Sequence, residues 1–416
     1  MSVALGIGAA VAALCAAAIL AGLRAAAPVP PPALRIAVPQ RFVPLGGAPS
    51  PIPLPPAGSL TLSEQPLGVI ADRDGQVVRP IGSVAKTMTA LVALETHPLR
   101  GGDAGPTLTM SAADVQLYRD AVAGEGSAVP VAAGQRWDER DLLLALLLPS
   151  ANNIAGSLAR YLAGSEAAFA AQLNRNAAAL GMTHTHFDDA SGVSAGTVST
   201  TRDLVLLGRA ALRDPTLAAL VATRAAVLPD GVRVTNLDTL LASQPGWLGI
   251  KTGWTPSAGG CLLFAAQRSY AGAAQPVVVV GAVLGQPPKA GVTPGHPELG
   301  GAFEAASVAV RSELDRNLAA VDVTTVQPAV SGSMDARWGA SAGVAAGRAA
   351  RRYAVLRRGE AFTIDVSLAP PAAPLKVHTV LGTLRASDAS GTVVTWPLES
   401  TGSLRGPSLW WKVFQA

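Results

Sequence analysis

The sequence is poor in cysteine and in charge. Only two cysteines occur in 416 residues, Cys15 and Cys261, and the first lies inside an N-terminal apolar run. The rest of the chain therefore has one cysteine and no disulfide framework. Charged residues make up only 14% of the chain and hydrophobic residues 49%, so the composition excludes global disorder and allows a large core.

The sequence also lacks any run of lysine or arginine interleaved with aromatic residues. Its net charge is only +4 and its aromatic content only 4%. Nucleic-acid binding is therefore not predicted. A mildly basic surface would tolerate an anionic polymer or a lipid surface.

Charge is missing altogether from residues 2–23, which are mostly alanine, valine, leucine, isoleucine and glycine. This stretch is long enough to cross a bilayer as a helix. Two interpretations of residues 1–27 stay open, an uncleaved membrane anchor or a signal peptide cut near Ala25-Ala26-Ala27. In either case we expect the rest of the chain outside the cytoplasmic membrane, anchored to it or secreted.

Residues 28–57 contain eleven prolines and almost no charge. Proline-rich segments neither pack as helices nor enter the middle of a sheet. The segment is therefore predicted to be a semi-rigid extended linker.

Residues 58–320 combine strand and helix patterns. Two apolar runs around Asp74-Gly75 predict a β-hairpin over residues 68–78. Apolar periodicity predicts helices from residue 84 to the His97-Pro98 stop and at 142–148, 154–162, 167–180, 200–212 and 303–318, and strands at 247–253, 260–266 and 275–281. A sheet that encloses a block of helices is an α+β domain.

Residues 321–416 have a different pattern. Short runs rich in valine, threonine and isoleucine are separated by glycine, proline, serine and aspartate. They predict a small all-β domain with strands at 353–356, 362–368, 378–384, 392–396 and 409–414. The last of these contains Trp410-Trp411, for which an interfacial anchor is the alternative interpretation.

Three short motifs occur in order in the α+β region: Ser-x-x-Lys at 83–86, Ser-x-Asn at 150–152 and Lys-Thr-Gly at 251–253. Residues three apart share one helix face, so the Ser83 hydroxyl and the Lys86 amine can form a hydrogen bond. The second motif follows a proline that ends a buried helix, and the third lies on a predicted strand. Together they supply a nucleophile, a second hydroxyl with an amide, and a cation, a set suited to acyl transfer.

In these motifs and their surroundings the sequence resembles the penicillin-recognising serine acyl transferases, and within them the low-molecular-mass D-alanyl-D-alanine carboxypeptidases. Residues 83–94 resemble that family's nucleophile helix, residues 138–159 its second motif with the preceding helix, and residues 249–262 its third motif. The resemblance covers about residues 58–318. It implies a β-lactamase/DD-peptidase-like sheet with a helical block, followed by a small β domain.

The resemblance implies removal of the terminal D-alanine from peptidoglycan stem pentapeptides through an acyl-enzyme. Ser83 would attack the D-Ala–D-Ala carbonyl, and Lys86 could accept its proton only when neutral. Ser150 would relay a proton to the leaving amine. The backbone N–H groups of Ser83 and Trp254 would form the oxyanion hole.

The remaining residues of the motifs would bind the substrate. Asn152 would hold a substrate amide, and Lys251 with Thr252 would bind the terminal carboxylate. Gly253 would let the strand backbone approach the substrate closely. β-Lactams are expected to inhibit the protein covalently, and neither a cofactor nor a metal is implied.

Two residues depart from the family pattern. Asn153 stands where the family usually has aspartate, and the bulky Trp254 follows the third motif. Glu166, the single glutamate between the second and third motifs, lacks the pattern of a deacylating glutamate, so slow β-lactam release is expected. The two histidines at 184 and 186 and the two aspartates at 188 and 189 are interpreted as a polar loop rather than a metal site.

Two other functions stay open from sequence alone. A D,D-endopeptidase or transpeptidase would use the same residues with a different substrate or acceptor. A non-enzymatic wall-binding protein would keep the fold with a degenerate site, against which the complete motif set argues.

Overall fold

The computed structural model describes residues 2–229, 231–292, 295–349 and 351–414. The chain divides into two compact units. Residues 50–270 and 274–318 form the first, called the catalytic unit below, and the rest of the chain forms the second, called the β unit. The predicted α+β class is confirmed for the catalytic unit, which contains both a sheet and a helical block.

The sheet of the catalytic unit is five-stranded and antiparallel. In spatial order its strands are Trp247–Thr255, Gly259–Arg268, Val277–Gln286, Ser59–Glu64 and Gly68–Arg73. Residues 261–266 are all buried because both faces of the central strands are covered. The strand Trp247–Thr255, called the motif strand below, is an edge strand of this sheet, so one side of its backbone is available to other partners.

Most of the helical block shares one apolar core with the sheet of this unit. The block surrounds the first motif. Its α-helices are Lys86–Thr96, Ala112–Ala123, Glu139–Leu147, Asn152–Ala163, Glu166–Ala179, Thr201–Arg213, Pro215–Val221, Leu240–Ser243 and Pro297–Arg311, with a 3-10 turn at Gly82–Ala85 and a π-helical turn at Ser312–Asn317. Short strand pairs join Arg79–Pro80 to Val198–Ser199, Thr107–Thr109 to Arg136–Asp138, and Ala225–Val227 to Arg233–Thr235.

The helix Lys86–Thr96, called the nucleophile helix below, lies at the centre of the block. Residues 86–94 are all buried, including the polar residues Lys86, Thr87 and Thr89. It packs against the helices Glu139–Leu147, Asn152–Ala163 and Glu166–Ala179. The predicted stop at His97 is confirmed, because the helix ends at Thr96 just before the His97-Pro98 pair.

The predicted hairpin over residues 68–78 is wrong in its pairing. Gly68–Arg73 is a strand, but it pairs with Ser59–Glu64 through a turn at residues 65–67. Asp74 does form a turn, with φ of 50°, yet residues 77–78 that follow it are not in a strand. The strand Ser59–Glu64 was not predicted, and all six of its residues are buried, including the serine and threonine residues that alternate with leucine.

The β unit contains a seven-stranded antiparallel sheet. Its spatial order is Ala33–Ala37, Ser331–Asp335, Ser341–Ala346, Val393–Ser400, Val380–Ser387, Phe362–Leu368 and Arg41–Phe42. A further pair joins Leu318–Asp322 to Tyr353–Arg357. The predictions at 353–356, 362–368, 378–384 and 392–396 therefore correspond to strands.

The linker prediction does not hold for residues 33–42, which supply both edge strands of this sheet. Ala33–Ala37 pairs with Ser331–Asp335, and Arg41–Phe42 pairs with Phe362–Thr363 at the opposite edge. Only residues 38–40 connect the two edges, and such a connection spans at most about 14 Å. A flat sheet of seven strands would be about 29 Å wide, so the sheet must curl until its edges lie near each other.

The strand predicted at 409–414 is also wrong, since Leu409–Phe414 is a short helix with no buried residue. Within the described residues this segment pairs with no strand of the sheet, whose edge strands are Ala33–Ala37 and Arg41–Phe42. At the other end of the chain, Ser2–Ala26 is one continuous helix. Its segment Ile7–Ala26 is long and apolar enough to cross a membrane, a property that a signal sequence shares.

Candidate active site

The 3-10 turn Gly82–Ala85 and the nucleophile helix place Ser83 beside Lys86. Lys86 Nζ lies 2.7 Å from Ser83 Oγ, so the two side chains share a hydrogen bond. The sequence places Ser83 in the turn that precedes the α-helix, where backbone N–H groups lack partners inside the helix. The geometry expected from the spacing of the first motif is therefore present.

Lys86 is fully buried and has three acceptors. Besides Ser83 Oγ, its Nζ donates to Asn152 Oδ1 at 2.7 Å and to the Ser191 carbonyl at 2.9 Å. Burial lowers the pKa of Lys86 well below its usual range, and the nearby charge of Lys251 lowers it further, whereas Asp189 raises it. This amine can therefore reach its neutral, proton-accepting form far more readily than a lysine in water.

The loop at residues 189–197 was not identified from sequence as part of the site. Asp189 Oδ2 accepts hydrogen bonds from Ser191 Oγ at 2.5 Å and from Val193 N–H at 3.0 Å, and Asp189 Oδ1 accepts from Thr197 Oγ1 at 2.5 Å. These bonds hold the Ser191 carbonyl against Lys86. The Asp-x-Ser spacing is a local turn signal that predicts such a loop but not its position beside Lys86.

Ser150 has an unusual backbone conformation. Its φ is 65°, in the left-handed region that residues other than glycine rarely adopt. Its side chain is buried, and Ser150 Oγ has no hydrogen-bond partner within the described part of the chain. Such strain and an unsatisfied hydroxyl are typical of functional sites, because a bound ligand can supply the missing partner.

Asn152 and Asn153 make hydrogen bonds to different parts of the site. Asn152 Oδ1 accepts from Lys86, and its backbone N–H donates to Ser127 O at 2.7 Å. Asn153 is buried, and its amide accepts from Val129 N–H at 3.1 Å and donates to Val129 O at 2.9 Å. An aspartate at 153 could accept from the N–H but could not donate to the carbonyl. Asparagine at position 153, in place of the family's usual aspartate, therefore helps to fix the wall of the cleft.

Lys251 is the second buried lysine of the site. Its Nζ donates to Thr252 O at 3.1 Å and to Thr252 Oγ1 at 3.4 Å. Burial lowers the pKa of Lys251 to about 7, although Asp238 acts in the opposite direction. Its ammonium therefore lies in a low-dielectric site where an added carboxylate would be bound strongly.

The motif strand lies directly against the 3-10 turn. A Cβ atom at Gly253 would lie 2.8 Å from Ile81 O and 3.0 Å from Ser83 N, and one at Gly82 would lie 3.1 Å from Trp254 N. Only residues without a side chain allow this approach. It brings the backbone nitrogens of Ser83 and Trp254 to the same region, while the Trp254 side chain is 43% exposed.

Ser83 lines two neighbouring clefts of about 510 and 640 Å³. The first also contains Ser150, Thr252 and Gly253, and the second contains Asn152. Trp254 borders both. Lys86 and Lys251 are buried beside these clefts. The structure thus brings all eight motif residues singled out in the sequence into one region.

In the polar loop at residues 184–189, His186 Nε2 lies within hydrogen-bond distance of Asp188 Oδ1, at 3.0 Å. Within the ranges that the structure describes, no group of three or more histidine, cysteine, aspartate or glutamate side chains could hold a metal ion. Asp188 also accepts a hydrogen bond from Ser194 Oγ at 2.9 Å, in the loop at residues 189–197.

Comparison with known sequences gives a consistent result. The family model of the D-alanyl-D-alanine carboxypeptidases, peptidase family S11, matches residues 57–283. A D-alanyl-D-alanine carboxypeptidase of Mycobacterium tuberculosis is 36% identical over 231 residues, which cover 54% of this chain and 72% of the relative. A D-alanyl-D-alanine endopeptidase of Pseudomonas aeruginosa is 34% identical over 218 residues, which cover 50% of this chain and 66% of the relative.

Solved structures agree with these matches. A D-alanyl-D-alanine carboxypeptidase from Mycobacterium tuberculosis superposes with a TM-score of 0.52 at 32% identity, covering 63% of this chain and 95% of that chain. The Streptomyces K15 DD-transpeptidase superposes with a TM-score of 0.52 at 26% identity, covering 63% and 99%. The matched region contains all three motifs, and the chain belongs to the D-alanyl-D-alanine carboxypeptidase family of serine peptidases.

Proposed function

We propose that Ser83 is the nucleophile of this serine D-alanyl-D-alanine carboxypeptidase and that Lys86 is its general base. The observation that carries the proposal is the hydrogen bond of 2.7 Å between Lys86 Nζ, which is fully buried, and Ser83 Oγ, which is half-buried and lines the cleft. A neutral Lys86 takes the hydroxyl proton while Ser83 Oγ attacks the D-Ala–D-Ala carbonyl carbon. The lowered pKa of Lys86 makes that neutral form accessible.

The breakdown of the tetrahedral intermediate needs a proton on the leaving nitrogen. We assign this relay to Ser150, whose buried hydroxyl has no hydrogen-bond partner among the described residues and lines the same cleft as Ser83. The C–N bond breaks, D-alanine leaves with its amine protonated, and the acyl group stays on Ser83. Water then hydrolyses the ester and restores the Ser83 hydroxyl.

Substrate binding is assigned to the motif strand and to Asn152. Lys251 and Thr252 bind the terminal carboxylate, since a buried ammonium gains most from an anion in a desolvated cleft. The backbone N–H groups of Ser83 and Trp254 stabilise the oxyanion. Gly253 permits their approach, and the Asn152 side chain, held by Lys86, contacts a substrate amide.

The N-terminal helix bears on where this reaction takes place. Ile7–Ala26 has the length and hydropathy of a membrane span. We propose that it anchors or exports the chain so that the catalytic unit lies on the extracytoplasmic side, where peptidoglycan is found. Retention of full-length protein in washed membranes, with the catalytic unit accessible to protease only from outside the cell, would support this.

The decisive test is D-alanine release from a purified stem pentapeptide by the full chain, with and without penicillin. We expect release that penicillin blocks, and covalent penicillin labelling at Ser83 by mass spectrometry. Ser83→Ala should abolish both signals. Ser257→Ala, at an exposed serine on the rim of the same cleft, is the matched control and should retain both. Penicillin labelling of Ser83→Ala at a wild-type rate would refute the nucleophile assignment.

The same assay distinguishes a carboxypeptidase from an endopeptidase. One relative is a D,D-endopeptidase, so a cross-linked muropeptide dimer should be offered in parallel. Cleavage of the dimer without release of D-alanine from the pentapeptide would indicate an endopeptidase that uses the same residues.

A further inference from the structure

Asp238 is a buried carboxylic acid that the reaction described above does not use. Only 1% of its surface is exposed. Asp238 Oδ2 accepts a hydrogen bond from Trp247 Nε1 at 2.9 Å, and Asp238 Oδ1 accepts from Leu240 N–H at 3.2 Å. Both carboxylate oxygens are therefore fixed by donors, which is an arrangement that suits an ionised carboxylate.

The segment around Asp238 connects two motifs of the site. Trp247 begins the motif strand that carries Lys251. Leu237 N–H donates to Leu148 O at 3.2 Å, at the end of the helix that precedes Ser150, and Leu237 also lines the cleft that contains Ser83. Asp238 thus lies where the motif strand and the Ser150 turn are joined.

We propose that Asp238 is a positioning residue that acts on the reaction through Lys251, by keeping Lys251 charged for its task of holding the substrate carboxylate. The proposal rests on the role assigned above to Lys251. Within the described residues, no carboxylate lies within 4.0 Å of Lys251, so Lys251 has no direct ion pair there. A fixed negative charge farther away is then the means by which the fold can favour its ammonium.

Several elements around these two groups carry ionisable side chains. The nucleophile helix contributes Lys86, and the helix Pro297–Arg311, which packs against the motif strand, contributes Glu298 in the cleft that Thr252 also lines. The helices Pro215–Val221 and Leu240–Ser243, which flank residues 236–240, have no ionisable side chain, and the helix Glu139–Leu147 has its charges in its first turn, away from Leu148. Of the strands, the motif strand contributes Lys251, Arg233–Thr235 contributes Arg233, and Gly259–Arg268 contributes Cys261 and Arg268.

The direction of the pKa shifts agrees with this assignment. Burial raises the pKa of Asp238 to about 6, while Trp247, Leu240 and Lys251 act in the opposite direction. Asp238 in turn raises the pKa of Lys251, which burial has brought down to about 7. The charge of Lys251 lowers the pKa of Lys86. Loss of the Asp238 charge would therefore discharge Lys251 at a lower pH and let the pKa of Lys86 rise.

The test compares the pH dependence of kcat/KM for D-alanine release by the wild-type full chain, Asp238→Asn and Asp214→Asn. The wild-type rate should fall on the alkaline side as Lys251 loses its proton. In Asp238→Asn that fall should move to lower pH, and a move of one unit lowers kcat/KM about tenfold on the alkaline side. Asp214→Asn is the matched control, because Asp214 caps a neighbouring helix through Leu217 N–H and has no contact with the site.

A second substrate distinguishes an effect of Asp238→Asn that acts through Lys251 from a general loss of structure. On a pentapeptide that ends in a C-terminal amide, which has no carboxylate for Lys251, the difference between wild type and Asp238→Asn should shrink. If Asp238→Asn does not fold, Trp247→Phe replaces it, since it removes one donor to the carboxylate and should shift the alkaline fall by a smaller amount in the same direction.

Failure of the proposed function and failure of the role of Asp238 would give different results. A wild-type protein that releases no D-alanine and takes up no penicillin would refute the proposed function itself. An active wild type whose pH profile superimposes on that of Asp238→Asn, on both substrates, would refute only the role of Asp238.

Discussion

Replacement of Gly253 by alanine tests the contact between the motif strand and the 3-10 turn. The added Cβ would lie 2.8 Å from Ile81 O and 3.0 Å from both Ser83 N and Val84 N. All three atoms belong to the backbone, so no flexible side chain can move aside. The φ of Gly253 lies outside the left-handed region, which means that space rather than backbone conformation is the obstacle.

The size of the effect follows from these distances. Relief of the overlap needs a displacement of about 0.5–1 Å between the strand and the turn, because non-bonded heavy atoms prefer a separation of about 3.5–4.0 Å. A misplacement of about 1 Å near reacting groups costs about 100-fold in rate, which corresponds to about 2.7 kcal/mol. The same overpacking should lower the free energy of unfolding by about 1–3 kcal/mol.

The assay is the second-order rate of penicillin acylation, measured with intact-mass detection below the unfolding temperature. Gly102→Ala is the control, since a Cβ at Gly102 would lie within 4 Å of no atom in the part of the chain that the structure describes. It should acylate like the wild type. If Gly253→Ala is folded and acylates at the wild-type rate, the close approach of strand and turn does not form the oxyanion hole.

Further predictions concern the base, the pH profile and the cleft wall. Lys86→Ala should slow penicillin acylation by about 10²–10⁴-fold, and a near-normal rate in stopped-flow measurements would contradict its role as base. The kcat/KM of the wild type should rise with pH as Lys86 becomes neutral and fall above about pH 7 as Lys251 is deprotonated, so a flat profile would contradict both assignments. Asn153→Asp should lower the free energy of unfolding by about 1–3 kcal/mol, because it places an acceptor against Val129 O. Urea denaturation measures the free energy of unfolding. An unchanged value would show that the hydrogen bonds between Asn153 and Val129 do not contribute to stability.

Several features of the site could be predicted because they depend on local spacing. Ser83 and Lys86 are three residues apart on one turn, so their contact follows from helical geometry. The helix break before Ser150 is marked by a proline, and the strand that carries Lys251 by its apolar run. These signals place each motif on the right kind of element.

Other features depend on contacts between segments that are distant in sequence. The Ser191 carbonyl reaches Lys86 across 105 residues, and Asp238 is joined to the site through Trp247 and Leu148. The spacing of residues within one segment cannot predict contacts between segments that are distant in sequence. The strands at residues 33–42 were missed for a related reason, since prolines around them suggested a linker, and only the position of both strands at sheet edges makes proline tolerable there.

The edge strands of the β unit have a consequence for biosynthesis. Ala37 pairs with Ser331, so roughly 290 residues must be made after the first strand before its partner exists. At about 5–20 residues per second that is a wait of about 15–60 s, during which residues 33–42 emerge from the ribosome as unpaired β-strands. Such strands are prone to pair with other chains unless charge or proline discourages it. Arg35, Arg41 and Pro39 stand in this segment, and they should protect the nascent chain from aggregation until the C-terminal strands arrive.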